Sequence, residues 1–373
     1  MQTADFKDKT LLISGASGVT SRTIVRALRR SPMFAHTRLI GTDVCDNVYG
    51  LYEGLYACIY RVPPSSAGGA YRTAVQEVCT KECVDAAIVV PEPEVLYWCR
   101  HDMPVPAFLP PPRFAAEAIS KANLYEKLRD TGLVPRFAIL AREEILDGAL
   151  ADGRHGLGKL PLWLRDGSEG STSGKGAICI QRVEEAAAWM TLNPDTRHFM
   201  VSEFLPGRNL ACLLIYDTGR LIKTGCYERL QYFMGRTVIS GVSGNISVGR
   251  LINDAQAVAV STDAIARLCE MTGERMHGMV TVDLRTDAQD RPLITEINLR
   301  QVAAASAFAE VPGANLAEAQ ALATFGRFDL TGPLEVEFPP HNRILRDIDG
   351  LPRYVEHFEA LDVGQCWPSR SEG

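Results

Sequence analysis

The chain has 373 residues, 46% of them hydrophobic, and a formal net charge of −6. That length exceeds one ordinary core and predicts two or three packed units. The acidic balance, with a sequence pI near 5.7, excludes partners recognised by a basic surface, so neither nucleic acid nor an anionic membrane is expected.

The mean hydropathy of −0.03 is that of a soluble globular protein. No run reaches the roughly 18 apolar residues that a membrane span needs. Residues 1–9 hold no apolar signal core, so the expected location is the cytoplasm. Ten cysteines are scattered without a CxxC pair, and the histidines number seven. Buried, reduced thiols are the expectation. Cys79 and Cys83, four apart in a helical stretch, could alternatively form half of a metal site.

In chain order, residues 9–14 (KTLLIS) read as a buried strand and Gly15-Ala16-Ser17-Gly18 as a tight turn. Residues 20–30 have helical periodicity, and 38–43 form a second strand ending in Asp43. A helix over 71–81 and a strand over 86–91 continue the alternation. This pattern predicts a doubly wound parallel sheet for roughly residues 1–110. The proline cluster at 104–112 reads as a stiff linker. Helices follow over 113–132. A strand at 162–165 runs into the glycine-rich loop 166–176, and strands at 177–181 and 199–203 flank a helix starting near Val183. Strands at 210–216 and 220–225 precede an amphipathic helix over 255–272. Residues 281–285 and 293–300 then form a hairpin, and 315–325 a last helix. The proline-punctuated segment 330–373 has a weakly helical middle.

Two glycine loops compete for a phosphate ligand. Gly15–Gly18 opens a helix, with Asp43 at the end of the next strand, an arrangement similar to the short GxxG start of NAD(P)-binding Rossmann domains. The reductase acid is missing, however: none of the eleven tyrosines has a lysine four residues on. The second loop, 166–176, lacks the GxxxxGK[ST] pattern. Its small residues would let backbone N–H groups close over a polyphosphate, with Arg165 and Lys175 supplying charge.

The hairpin carries the strongest chemistry. Side chains alternate along a strand, so Glu296 and Asn298 share a face, with Arg300 two residues further on. Pairing would bring Asp283 alongside them. Oxygen-only ligands of this kind suit Mg²⁺, which binds through one or two carboxylates plus nucleotide phosphates.

The order of these parts resembles the ATP-grasp superfamily, and within it the carbamoyl-phosphate-synthase-like ligases, over about residues 8–327. The resemblance implies a Rossmann-like N-terminal domain (1–112), then a two-lobed α+β ATP-grasp module (113–329) and a C-terminal extension (330–373). The module divides into a lid lobe, about 136–205, and a catalytic lobe, about 206–329. Ile119-Ser120-Lys121 matches the family's Asp-Lys motif, with Ser120 in place of the acid, which assigns Lys121 to ATP phosphates. Arg165 stands where most members have lysine. Ser173, Gly174 and Lys175 match the lid tip. Glu203, Phe204 and Leu205 match the hinge, whose backbone reads the adenine edge, and Asn209 stands where an acid often holds the ribose. Asp283, Glu296 and Asn298 match the metal ligands. Arg300, with Lys175, matches the group that contacts the transferred phosphate. Val311-Pro312-Gly313-Ala314-Asn315-Leu316 resembles the branch's entry into its late helix.

The resemblance implies an ADP-forming carbon–nitrogen ligase with ATP and one or two Mg²⁺, or Mn²⁺, as cofactors. Its substrates would be a small carboxylate, activated as an acyl phosphate, and an amine. Related ligases also suggest a homodimer. Carboxyphosphate chemistry on bicarbonate, an NAD(P)-dependent reductase and an inactive ATP sensor are the alternatives. For the substrate region the sequence offers Glu228 as a base, Lys223, Arg229 and Arg236 for a substrate carboxylate, and the run 240–245 as a cleft border.

Overall fold

The computed structural model describes residues 5–47, 54–150, 155–157, 159–167, 177–235, 237, 244–346 and 361–368. Its first layer contains β1 (Thr10–Ser14), α1 (Val19–Arg29), β2 (Arg38–Asp43), β3 (Cys58–Arg61), α2 (Gly69–Glu82), β4 (Ala86–Ile88) and α3 (Glu92–Arg100). These four strands are parallel, in the order β3-β2-β1-β4. Every residue of β1 is buried, as the unbroken apolar run demands of a strand covered on both faces. In α1, Ile24, Val25, Ala27 and Leu28 are buried in one cluster with Leu11, Ile13 and Leu39 of the sheet. At its C-terminal end Arg29 donates to the carbonyls of Ala35 and Thr37, at 2.9 and 2.7 Å, which fixes the return into β2. Strand β3 has only four residues, too few for a period-2 signal to stand out.

The proline cluster is packed rather than a free linker. Ala87 N–H donates to Pro106 O at 2.9 Å, and Ala107 bridges Ala87 in parallel. The backbone of Leu109 lies so close to Gly278 that a Cβ there would meet it at 2.4 Å.

The second layer begins with α4 (Pro112–Ile119) and α5 (Lys121–Leu128). It continues with β5 (Phe137–Ala141), α6 (Arg142–Leu146), β6 (Leu162–Asp166), β7 (Ile178–Ile180), α7 (Val183–Leu192) and β8 (His198–Glu203). The strands form an antiparallel sheet, β5-β8-β6-β7. Leu140, Leu162, Leu164, Met190, Phe199 and Val201 give this small lobe its own core.

The third layer holds β9 (Asn209–Asp217), β10 (Arg220–Tyr232), β11 (Ile246–Ile252), α8 (Ala255–Thr272), β12 (Gly278–Thr286) and β13 (Pro292–Asn298). Helices α9 (Ala305–Phe308) and α10 (Leu316–Thr324) and strands β14 (Ile344–Leu345) and β15 (Cys366–Pro368) follow. Its antiparallel sheet runs β13-β12-β9-β10-β11-β14. Strand β10 extends over 13 residues, well past the expected end at Gly225. Gly225 fits inside the strand because Phe308 packs against it; a Cβ there would lie 2.7 Å from the ring. The C-terminal segment stitches the layers together: β14 pairs with β11, and β15 pairs antiparallel with β3.

The segment 311–316 is structural. Asn315 Oδ1 caps α10 by accepting from Glu318 N–H at 3.1 Å. Its amide donates to Ala27 O at 2.8 Å and so ties α10 to α1. The cysteines are all free; Cys58, Cys79, Cys212, Cys226 and Cys269 are buried. Cys83 is exposed at the left-handed C-cap of α2, outside the helix that buries Cys79, so the pair builds no metal half-site. Among the described residues no helix is long and apolar enough to cross a membrane.

Candidate active site

One cleft of about 1250 Å³ runs between the three layers. Its wall includes Lys121, Arg165, Glu203, Phe204, Leu205, Asn209, Asp283, Glu296, Asn298 and Arg300. Ten of the residues singled out from the sequence therefore share one space. The remaining three, Ser173, Gly174 and Lys175, lie outside the described residues, as does Arg236. Of the run 240–245, Gly244 and Asn245 line the cleft and the rest lies outside the description.

The floor is the β12–β13 hairpin. Asp283 pairs directly with Glu296, and Asn298 lies one same-face step on, opposite Thr281. A bulge at Thr295 breaks the register, and its hydroxyl donates to Asp283 O at 3.1 Å. The bulge keeps Glu296 opposite Asp283 while the hairpin continues to twist. Asn298 Nδ2 lies 3.4 Å from Asp283 Oδ2.

Cations surround these acids. Lys121 is the first residue of α5, and Ser120 caps that helix by accepting from Asn123 N–H at 3.3 Å. The serine thus does the capping work of an acid and leaves Lys121 aimed at the floor. Lys121 Nζ sits 3.0 Å from Glu296 Oε2. Burial acts to raise the Glu296 carboxyl, but Lys121, Arg165 and Arg229 together hold it below its ordinary value. Arg165 is 8% exposed; it donates to Thr295 O at 3.3 Å and Tyr125 Oη at 3.4 Å, while its Nε has no partner. Arg300, just past β13, donates to Gln301 O at 3.0 Å.

Arg229, which the sequence offered for a substrate carboxylate, lines the cleft but is engaged by a floor acid of the protein itself. Its Nη2 donates to Asp283 Oδ1 at 2.7 Å. Burial and the nearby Glu296 still push the Asp283 carboxyl above its ordinary value, against the pull of Arg229. The expected ribose contact is also engaged: Asn209 accepts from Arg229 at 2.9 Å and donates to Tyr232 Oη at 2.8 Å. The signal for Arg229 was period-2 alternation running on through Tyr227 and Arg229 after Gly225.

At the hinge, Glu203 pairs with Arg136, whose Nε donates to Oε1 at 2.7 Å. Arg285 holds Leu205 O at 3.1 Å. Glu92, at the start of α3, accepts from the Leu299 backbone. Burial raises its carboxyl, and Arg300 and Lys121 oppose that shift. This link between layers joins segments far apart in sequence, where no local pattern could reveal it.

Two expected cleft residues lie elsewhere. Lys223 is 2% exposed and donates to the carbonyls of Gly313, Thr331 and Pro333 at 2.7, 2.9 and 3.0 Å. Burial lowers its ammonium to about 8. Glu228 points to the opposite face of β10 from Arg229 and pairs with Arg250 at 2.6 Å and Arg208 at 3.6 Å. Neither reaches the cleft: Glu228 faces the other side of the strand from Arg229, whereas Lys223, in step with Arg229, is held further along β10 by the carbonyls of Gly313, Thr331 and Pro333.

The far end of the cleft is the Gly15–Ser21 turn. Gly15 has φ +61°, and Pro91 packs where its Cβ would be. Asp43 accepts from Ser17 N–H at 2.8 Å through one oxygen and from Cys45 N–H at 2.9 Å through the other. With both oxygens bracing the turn, Asp43 is poorly placed to hold a dinucleotide ribose.

No protein-family model and no curated protein matches this sequence. Solved structures do. An L-amino acid ligase from Bacillus licheniformis is 15% identical, with 86% of this chain and 76% of that one covered at a TM-score of 0.55. A phosphoribosylamine–glycine ligase from Thermotoga maritima is 15% identical, covering 88% and 78% at 0.58. A carboxyaminoimidazole ribonucleotide synthase from Aspergillus clavatus, complexed with ATP, is 15% identical, covering 88% and 79% at 0.61. This chain has the ATP-grasp fold. The four-stranded sheet, through Trp163, Arg165 and Ser202, and the β12–β13 hairpin, through Asp283 and Glu296, both line the cleft.

Among the described residues no group of three or more His, Cys, Asp or Glu side chains could hold a metal ion. The donors present are oxygens of Glu296, Asn298 and Asp283. Such a set fits Mg²⁺ completed by nucleotide phosphates, since that ion seldom uses an all-protein cage.

Proposed function

We propose that this protein is an ATP-dependent carboxylate–amine ligase. The reading rests on one observation: a half-buried acid, Glu296, paired with Lys121 and held charged by Arg165 and Arg229, in a cleft that Arg300 also lines and that is large enough for nucleotide and substrates. Five cationic side chains line the cleft: Lys121, Arg165, Arg229, Arg285 and Arg300. Of its four acids, Asp43 braces the glycine turn and Glu203 pairs with Arg136, so the inner wall is positive and suits a polyanion.

The adenine is assigned to the hinge at 203–205 and the triphosphate to the floor. Mg²⁺ held by Glu296 and Asn298 beside Asp283 would offset charge on the β and γ phosphates. Lys121 can leave Glu296 for a phosphate oxygen, because its ammonium is a point charge on a flexible stem. Arg165 presents a guanidinium with an unbonded Nε to the same region.

A carboxylate oxygen of the substrate attacks the γ phosphorus, the bond to the β–γ bridging oxygen breaks, and ADP leaves with that electron pair. Arg300 and Lys175 are assigned to the transferred group. The amine nitrogen then attacks the acyl carbon, and the tetrahedral adduct expels phosphate together with the former carboxylate oxygen. The nitrogen loses a proton and an amide results. Catalysis here is positioning and charge stabilisation, which phosphoryl transfer chiefly requires. Enclosure by the lid limits hydrolysis of the acyl phosphate.

The test is phosphate release from Mg-ATP with mixed amino acids, alongside bicarbonate alone and NAD(P)H binding. Acid- and amine-dependent release, abolished in Glu296→Ala, is expected. ATP binding without turnover on any acid would sink the ligase reading.

A further inference from the structure

The two floor acids are not equivalent. Among the described residues Glu296 forms one ion pair, with Lys121 at 3.0 Å, while Arg165 and Arg229 act on it from further away. Asp283 is enclosed: Oδ1 accepts from Arg229 at 2.7 Å, and Oδ2 faces the Asn298 amide at 3.4 Å. We propose that the nucleotide site takes a single divalent cation, at Glu296 and Asn298, and that the Arg229 guanidinium permanently supplies the second positive charge, beside Asp283. This rests on the nucleotide-binding reading above.

Arg229 is built to stay in place. Sheet order sets β12, β9 and β10 side by side, with Asp283 opposite Ala211 and Arg229 opposite Asn209. Its side chain therefore reaches across β9 to Asp283. On the way Nη1 donates to Asn209 Oδ1 at 2.9 Å and Leu210 O at 3.3 Å. The guanidinium lies 5.1 Å from the Tyr227 ring, two residues back on the same face. Its side chain is only 9% exposed. A cation fixed by an acid, an amide, a carbonyl and a ring has no second position to occupy.

Lys121 differs in each respect. It starts a helix, its stem is unbranched, and among the described residues it pairs with the acid alone. It can move to phosphate and uncover Glu296. A divalent ion at Asp283 would instead stand against an immovable guanidinium of like sign. The arginine also keeps its charge at any working pH, so this half of the site does not depend on free metal.

The test counts metal. The full-length protein, saturated with the non-hydrolysable ATP analogue adenylyl imidodiphosphate, is titrated with Mn²⁺, and free Mn²⁺ is read by electron paramagnetic resonance. One Mn²⁺ per nucleotide-loaded chain is expected. Arg229→Met should raise this to two, because Asp283 is uncovered; a purely structural arginine would leave it at one. Glu296→Gln should weaken the wild-type Mn²⁺ at least tenfold. Two Mn²⁺ in the wild type, one in Arg229→Met, or tight Mn²⁺ retained in Glu296→Gln would each overturn the proposal. If Arg229→Met does not fold, the wild-type count and the Glu296→Gln titration still decide it. Nucleotide binding is followed separately with a fluorescent ATP analogue. Its failure would remove the ligase reading and this inference together, whereas nucleotide binding with two Mn²⁺ removes the inference alone.

Discussion

The Lys121 ammonium lies 3.0 Å from a Glu296 carboxylate oxygen, and the two residues come from different layers of the molecule. Lys121 begins α5, while Glu296 belongs to the outermost strand on its side of the six-stranded sheet. Lys121 helps hold the Glu296 carboxyl charged in a place where burial alone favours neutrality. Glu296→Gln keeps the shape but removes the charge that balances Lys121. A fall in kcat of about 10²–10³ is expected, the scale of losing one charge-stabilising group. Steady-state phosphate release measures it, and circular dichroism checks the fold; activity within threefold of wild type would contradict the assignment.

Arg165 tests geometry rather than charge. Arg165→Lys retains the cation but loses the planar fork that can grip two phosphate oxygens. An increase of about tenfold in KM for ATP is expected, corresponding to roughly 1.4 kcal/mol. The melting temperature should change little, since the two hydrogen bonds that Arg165 makes are long, 3.3 and 3.4 Å. An unchanged KM would place Arg165 outside the phosphate site.

Glu94 gives a pH signature outside the cleft chemistry. It is 4% exposed, accepts from Tyr71 Oη at 2.6 Å, and burial raises its carboxyl to about 7. The folded form therefore binds this proton more tightly than the unfolded form, whose carboxyl titrates near 4.3. The favourable contribution is complete below that value and is lost as pH rises through about 7. Over this window the wild type should lose up to roughly 4 kcal/mol from this group. Glu94→Gln has no such proton, so its melting temperature relative to wild type should rise between pH 5 and pH 8. A constant difference across that range would show that Glu94 does not titrate there.

Gly207 anchors the turn after the hinge. Its N–H donates to Thr286 O at 3.0 Å, and a Cβ would meet Thr286 Oγ1 at 2.1 Å and Thr286 O at 2.8 Å. Gly207→Ala must push the hinge off β12. A loss of about 1–3 kcal/mol is expected from the overpacking, with weaker ATP binding because Phe204 and Leu205 shift with it. Denaturant unfolding and nucleotide titration read the two effects; neither changing would mean that the turn relaxes freely.

The sequence exposed what depends on local periodicity. The buried run at β1, the helix over Ala255–Thr272 and the β12–β13 hairpin all stand where alternation or 3.6-residue spacing put them. Short strands were missed for the same reason. β3, β14 and β15 have four, two and three residues, and pairing across the sheet defines them rather than pattern. Reading β10 as ending at Gly225 stopped short because a glycine in a strand usually weakens it. Here Phe308, from α9, fills the space and lets the strand run on to Arg229 and Tyr232.

By itself, then, the sequence determined the hairpin that sets Asp283 against Glu296 with Asn298 on the same face; it read 113–132 as helical, and the break at Ser120 that puts Lys121 at a helix start came from the structure. Hydrogen-bond pairing and side-chain alternation are local rules, and the residues obey them wherever the chain goes. Only the tertiary structure decided which charges those acids meet. Lys121 approaches Glu296 from α5, Arg229 crosses β9 to Asp283, and Glu228, its neighbour in sequence, turns away to Arg250. Those partners are set by the order in which strands and layers pack, and long-range packing leaves no periodic trace along the chain.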